Sequence, residues 1–362
     1  MSLAQRGVTP LRQTANAARS RFDPAAVQVV EWHDAAQWNR FVAARDGGLF
    51  HRADWEQVFR CYRLPLYRLA AVRNEQLVGL LPLVHQKSLL FGNHLVSLPW
   101  FDAAGVLTDD DEARDALVQS AVELGNELRV DAVQLRHAKP FDFGRPVRSE
   151  KVLMRLKLES DPEVLWKRFP DKVRNQVRKS QKLGLIVERG GPELLHGFYA
   201  VYSTNMRDLG SPAHHRRFFE AVLDAFPAES RLYLVRLGNK SVGAGLTMFN
   251  GDRLEIPWAS SLRDYNRLCV NHLMYWHILQ DACEEGFAWF HFGRSSRDSG
   301  TYRFKKQWGA EALPLFWNYL TPDTTASVAM PRESYIWATR VWKRLPVWLA
   351  RSVGPRLIAN IP

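Results

Sequence analysis

LAAVRNEQLVGLLPLV (Leu69–Val84) and LYLVRLGNKSVGAGLTMF (Leu232–Phe249) share one pattern: an apolar run ending in Val-Arg, a short polar turn, and a second apolar run that carries Val-Gly. Polar turn residues between two apolar runs are the signal of a β-hairpin. Downstream of each hairpin a helical segment leads into an apolar strand ending in Arg: ARDALVQSAVELGNELRVDAVQLR (Ala113–Arg136) and NHLMYWHILQDACEEGFAWFHFGR (Asn271–Arg294). The hairpins are offset by about 163 residues and the closing arginines by about 158, a spacing suited to domain duplication and far above the solenoid range. Each half reads helix, helix, strand, strand, helix, strand, which is an α/β (α+β) layered domain. A Rossmann or P-loop domain is disfavoured, because neither GxGxxG after a strand nor GxxxxGK[ST] occurs.

At 362 residues the chain is long enough for about two domains. Its 46% apolar and 24% charged residues are those of an ordinary globular protein. The net charge of +11 favours an anionic partner: nucleic acid, phosphorylated carrier, acidic glycan or membrane surface. Cys61, Cys269 and Cys283 are widely spaced and form no CxxC, so neither a disulfide framework nor a zinc site is indicated and a reducing compartment, the cytoplasm, is expected. Residues 1–25 lack an apolar signal core and read as a flexible basic tail, and no run approaches the roughly 18 apolar residues of a membrane span. The 13 tryptophans suggest packed clefts or aromatic binding walls, with core packing the commoner use.

Chemistry concentrates in FHFGRSSRDSGTYRFKKQWGA (Phe290–Ala310), where a buried strand runs into Gly293, Arg294 and Ser295 and then into Lys305 and Lys306. Glycines permit close approach, serines and amides donate hydrogen bonds, and Arg and Lys supply charge, a combination fit for an anionic substrate. A solvated basic loop over a tryptophan has the same composition, and both readings stay open. A second basic segment runs from Trp166 to Arg189, with eight Lys and Arg against Asp171 and Glu188. There Phe169, Val173 and Val177 form one stripe at helical spacing and Arg174, Arg178 and Lys182 a neighbouring one. Met206–Pro212 reads as a helix ending in a Gly-Ser-Pro break, which either sets Arg207 and Ser211 at a cleft edge or simply pairs Arg207 with Asp208. In PWASSLRDYNRLCVN, Trp258, Ser260 and Asn271 either line the same cleft or cap the next helix. The C-terminal stretch from 333 carries Trp337, Val341, Leu345 and Trp348 beside Arg340, Lys343, Arg344 and Arg351. It reads either as an interfacial segment on anionic lipid or as a helical hairpin, bent at Pro346, with its Trp face packed on the second domain.

FHFGRSS followed by GTYRFKKQWGA resembles the end of the second domain of the Fem-type transferases, in the branch associated with exosortase (PEP-CTERM) and exopolysaccharide loci. KVRNQVRKSQKLGL (Lys172–Leu185), FYAVYSTNMRDLGSP (Phe198–Pro212), IPWASSLRDYNRLCVNHLMYW (Ile256–Trp276), LFHRADW (Leu49–Trp55) and LLPLVHQKSLLFG (Leu80–Gly92) agree with it, so the resemblance covers roughly residues 30 to 320. His291 stands where that family usually carries Asp, and no carboxylate role carries over to it.

The resemblance implies two GNAT-like acyltransferase domains in tandem, expected at 26–158 and 159–322, with a basic helix at 162–184 and a C-terminal amphipathic helical segment at 323–362. It implies transfer of an acyl or aminoacyl group onto an amine of a cell-envelope or exopolysaccharide precursor, with aminoacyl-tRNA, acyl-CoA or an acyl carrier as donor and no tightly bound cofactor. Ordinary acetyl-CoA use is weakened, since neither half shows the Arg/Gln-x-x-Gly-x-Gly/Ala loop that holds a pyrophosphate at a helix N-terminus. In this reading Lys305 is the catalytic electrostatic group, by resemblance to the Phe-Lys motif of Fem enzymes. Arg174, Asn175, Arg178, Lys179, Arg207, Ser211, Trp258, Ser260, Asn271, Arg294 and Ser295 bind substrate: an anionic small molecule or glycan precursor, with tRNA a candidate donor and an anionic membrane a candidate surface. Two rival classes remain: a non-catalytic polyanion- or RNA-binding protein, resting on charge, and a peripheral membrane component of an envelope export system, resting on the C-terminal segment.

Overall fold

The computed structural model describes residues 8–9, 26–45, 47–144, 147–320 and 332–361. The tail expected over 1–25 therefore lies outside the described residues, apart from 8–9. The chain forms two compact units: Met1–Arg148 with Leu315–Val328 and Asn360–Pro362, and Ser149–Pro314 with Ala329–Ala359.

In the first unit β1 (Val8–Thr9) and β2 (Gln28–Trp32) precede α1 (Ala35–Ala44) and α2 (Trp55–Arg60). Asp34 starts α1 by accepting from the Gln37 amide at 2.9 Å, which satisfies one of the amides a helix start leaves unpaired. The hairpin read from Leu69–Val84 is β3 (Leu66–Arg73) and β4 (Gln76–Ser88), turning on Asn74 and Glu75, both at positive φ, the geometry that matches strand twist in a two-residue hairpin loop. Next come β5 (Gly92–Val96), β6 (Leu107–Thr108), α3 (Asp111–Glu127), β7 (Ala132–His137) and β8 (Val147–Arg148). Strand β5 pairs parallel with β7 across α3, starting at His94↔Ala132. Leu81, Leu83, Leu95, Leu117, Ala121, Val133 and Leu135 fill the layer between α3 and the sheet, each large side chain contributing roughly 1.5–3 kcal/mol by burial.

The second unit repeats this order. After β9 (Lys151–Lys157), α4 (Pro162–Arg168) and α5 (Asp171–Lys182) come β10 (Leu185–Gly190), α6 (Leu195–Leu209) and α7 (Arg216–Ala225). The second hairpin is β11 (Ser230–Leu237) and β12 (Lys240–Asn250), followed by β13 (Arg253–Ser261), α8 (Val270–Glu284) and β14 (Trp289–Ser296). Strand β13 pairs parallel with β14 across α8, starting at Arg253↔Trp289. The two hairpins thus hold the same topological place, each feeding a strand–helix–parallel-strand crossover, and Arg136 and Arg294 lie near the ends of the equivalent strands β7 and β14. The segment closes with α9 (Gly300–Lys306) and β15 (Glu311–Pro314).

Strand β16 (Phe316–Tyr319) then returns to the first unit and pairs with β7 and β8. Strand β9 sits in the second unit between β14 and β15. The boundary expected at 158/159 is therefore displaced to 148/149, and Leu315–Tyr319 belongs to the first unit. The basic helix expected at 162–184 is two helices. Phe169 is extended (φ −74°, ψ 142°) and ends α4, because the ring of Pro170 crowds the residue before it out of the helical region. The apolar stripe nevertheless holds, with Phe169, Val173 and Val177 all buried in the second core beside Phe290, Phe292 and Trp308. Finally α10 (Arg332–Trp342) and α11 (Val347–Ile358) form a hairpin turning at Pro346. The expectation that its Trp face packs inward is corrected: Trp337 is 68% and Trp348 69% exposed.

Candidate functional site

Parallel pairing of β13 with β14 stops after three residue pairs, the last being Glu255↔His291. Beyond it β14 re-registers on β9, between His291 and Arg294, and Gly293 takes a positive φ of 72° that a side chain would resist. The sheet of the second unit therefore opens between the ends of β13 and β14, leaving strand edges with one neighbour each. Across the last pair, His291 Nδ1 lies 3.7 Å from Glu255 Oε1.

Lys305 lies at this opening. It is on α9, whose start is capped by the Ser299 hydroxyl accepting from the Tyr302 amide at 3.1 Å. Lys305 is buried and Lys306 exposed. Lys305 Nζ donates to the carbonyls of Gly293 and Arg294, both at 2.9 Å, two acceptors at the irregular turn of β14. Ser295, next along, is buried, and its Oγ has no hydrogen-bond partner among the described residues. Lys151 Nζ donates to Ser296 Oγ at 2.6 Å. Arg294, Ser295 and Lys305 are thus brought together around one strand end.

On the facing strand, Ser260 Oγ accepts from Asn205 Nδ2 of α6 at 3.1 Å. Trp258 packs edge-on against Phe218 and Phe219, with centroids 5.6 and 5.3 Å away. Asn271 is the second residue of α8, inside the helix rather than before it, and α8 starts without a side-chain cap at Cys269, itself at positive φ. The α5 residues form a separate group on the helix packed against α8, joined by Ser180 Oγ donating to the Cys269 carbonyl at 3.1 Å. Arg174 is half-buried and pairs with Asp171 of its own helix. Arg178 donates to Asn175 Oδ1 at 3.3 Å and lies 5.6 Å from the Trp166 ring centre. Lys179 is exposed.

A cavity of about 680 Å³ opens on the α6 side of the same sheet end, between α6, the β11–β12 turn and the turn after β13. Of the residues picked from sequence it takes only Arg207, whose Nε donates to Asp208 Oδ1 at 2.6 Å and whose Nη1 donates to the Leu345 carbonyl at 2.9 Å. Arg207 thus lines this cavity while paired with Asp208. Ser211, just past the left-handed Gly210 that ends α6, does not line the cavity. Sequence reasoning missed its other cations, Arg236, Lys240, Arg263 and Arg351. Lys240 and Arg236 flank an ordinary hairpin turn, and Arg351 arrives from the C-terminal hairpin. Nothing in the local sequence distinguishes them from solvated surface charge.

The fold agrees with what the comparisons find. Residues 167–306 match the family model described as acetyltransferase (GNAT) domain. No curated protein matches the chain. Fold and matched domain together define the architectural class: two GNAT-like domains in tandem, the second carrying the match to an acetyltransferase domain. Within that class the chain is similar to the crystal structure of FemX, at 17% identity over 80% of this chain and 96% of that one, with a TM-score of 0.63. It is similar also to the C-terminal domain of a putative lysylphosphatidylglycerol synthetase from Agrobacterium fabrum (12%, 80% and 92%, TM-score 0.55). A tandem GNAT protein from the clavulanic acid biosynthesis pathway shares the fold at 12% identity, 82% and 99% coverage and a TM-score of 0.52.

Proposed function

We propose that this protein is a Fem-like N-acyltransferase that moves an acyl or aminoacyl group onto an amine of a cell-envelope or exopolysaccharide precursor, in the exosortase-associated branch its motifs resemble. The observation that carries this reading is the parallel β13–β14 pair that opens after Glu255↔His291, inside the matched GNAT domain. Strand edges exposed there can pair with the extended arm of an activated acyl donor. Such a reaction needs no covalent enzyme intermediate. A neutral amine attacks the activated ester or thioester carbonyl, the tetrahedral oxyanion collapses, and the leaving group departs as the amine loses its proton.

The protein's part is proximity and charge. Lys305 holds the end of β14 and brings an ammonium to the opening, Arg294 and Ser295 lie beside it, and the cavity with Arg207 receives the anionic portion of a substrate. The exposed cations of α5, Arg178 and Lys179, suit the phosphates of an aminoacyl-tRNA donor, with acyl-CoA and an acyl carrier as the alternatives.

Mass spectrometry of envelope glycans from a deletion strain tests the reading. An acyl or aminoacyl mass should vanish from an amino sugar or precursor amine and return with the wild-type protein but not with Arg294→Ala. Unchanged glycans and precursors in the deletion strain would refute it. The exposed basic face of α5 favours one second reading, a polyanion-binding protein without chemistry, which steeply salt-dependent RNA binding with no turnover would identify.

A further inference from the structure

The hairpin of α10 and α11 has two faces with different surroundings. Its inner side is fixed to α6: Arg351 Nε donates to Ser203 Oγ at 2.8 Å, and the Leu345 carbonyl accepts from Arg207. Gly354 packs so close to Ala213 that an added Cβ would lie 3.0 Å from its backbone nitrogen. The outer side is therefore held in one orientation. It presents Trp337 (68% exposed) and Val341 (41%) on α10, and Trp348 (69%) and Val353 (37%) on α11. Arg340, on α10, and Arg344, in the turn just past its end, alternate with the apolar pair at three- and four-residue spacing, while Lys343 and Arg356 are exposed as well. From Arg332 to Ile361 the chain has six Arg and Lys and a single acid, Glu333.

We propose that this face docks on the surface of an anionic lipid bilayer, with Trp337 and Trp348 seated at the headgroup boundary and Arg340, Lys343 and Arg344 on lipid phosphates. Tryptophan prefers that boundary because its ring is apolar while its N–H stays wet. Basic residues among the apolar ones add attraction to anionic lipid. A second copy of the chain fits less well. Stable protein interfaces deplete charge at their centre, whereas here cations interleave with the tryptophans and would meet their own kind across a two-fold axis. The contact is peripheral, since no helix among the described residues is long and apolar enough to cross a membrane. The inference goes beyond acyl transfer and is independent of it, because vesicle binding is measured with neither donor nor acceptor present.

The experiment sediments the full-length protein with vesicles of phosphatidylcholine alone and of phosphatidylcholine with phosphatidylglycerol. The wild type should bind the anionic vesicles and barely the neutral ones. Trp337→Ala/Trp348→Ala should bind about tenfold more weakly and Arg340→Gln/Lys343→Gln/Arg344→Gln roughly 100-fold, both with unchanged thermal melting. Failure of the wild type to sediment, equal binding to both vesicle types, or undiminished binding by both variants would overturn the proposal. So would light scattering that shows a wild-type dimer which the tryptophan variant dissolves, because the face would then join two copies.

Discussion

Lys305 has a structural job beside the catalytic one proposed for it, and the two can be separated by experiment. Its ammonium is buried and bonded to the Gly293 and Arg294 carbonyls. Truncation leaves those acceptors short of a donor at a cost of about 1–3 kcal/mol for each group orphaned. Lys305→Ala should therefore lower the melting temperature by several degrees as well as cut acyl transfer by about 10²- to 10³-fold, the usual loss for one electrostatic donor. Lys306→Ala, at an exposed site, should leave stability within about 0.5 kcal/mol and turnover intact. Calorimetry of both variants checks the structural half, and equal melting of Lys305→Ala and wild type would show that the carbonyls do not depend on it. The motif around Lys305 was legible in the sequence, but its surroundings were not. GTYRFKK is a poor helix former, rich in Gly, Thr and aromatics, and its roughly two turns exist through the Ser299 cap and packing of Phe304 and Tyr302 on the core.

Element by element, what could be read was what local chemistry decides. Apolar hairpins, the αL glycine at the end of α6 and the amphipathic stripe of α5 came through, since each rests on period or on a residue's own backbone preference. The break at Phe169 was legible too, in Pro170, but the stripe running across it suggested one continuous helix. The exchange that gives β16 to the first unit and β9 to the second was not legible, because strand partners far apart in sequence leave no local trace. Docking of the C-terminal hairpin on α6 was likewise hidden, and with it the cation Arg351 in the cavity. Gly210 tests that docking. It has φ of 81°, and a Cβ there would lie 2.4 Å from Thr339 Cγ2 and 2.9 Å from the Thr339 carbonyl oxygen. Gly210→Ala should destabilise by about 1–2 kcal/mol from the left-handed backbone alone, and by more from the clash. Faster tryptic cleavage after Lys343 or Arg344 should accompany it, and unchanged protection there would show that the hairpin is not seated on Gly210.

At the scale of the whole molecule the duplication predicts two cores that answer to the same stresses, and each unit holds a buried neutral histidine. His137, in the first, accepts from the Val106 amide through Nε2 at 3.1 Å and lies 3.2 Å from Asn318 Oδ1 through Nδ1. Burial lowers its pKa to about 4. His214, in the second, stacks on Phe218 at 4.1 Å, and burial lowers its pKa to about 3. Released into solvent, both would titrate near 6.5, so below that pH the unfolded chain binds protons that the folded one refuses. Stability from these sites is therefore complete above about pH 6.5 and declines steadily toward pH 4, by on the order of 3 kcal/mol for each. Urea unfolding at pH 7.5, 6 and 5, followed by hydrogen exchange in each unit, should show both units weakening together through that range. His137→Gln should flatten the slope in the first unit and His214→Gln should reduce it in the second, where His272, also lowered to about 4 by burial, keeps the remainder, even though each variant is less stable at pH 7.5 than the wild type. An unfolding midpoint that stays level from pH 7.5 to 5 in the wild type would mean that neither ring is held neutral by burial.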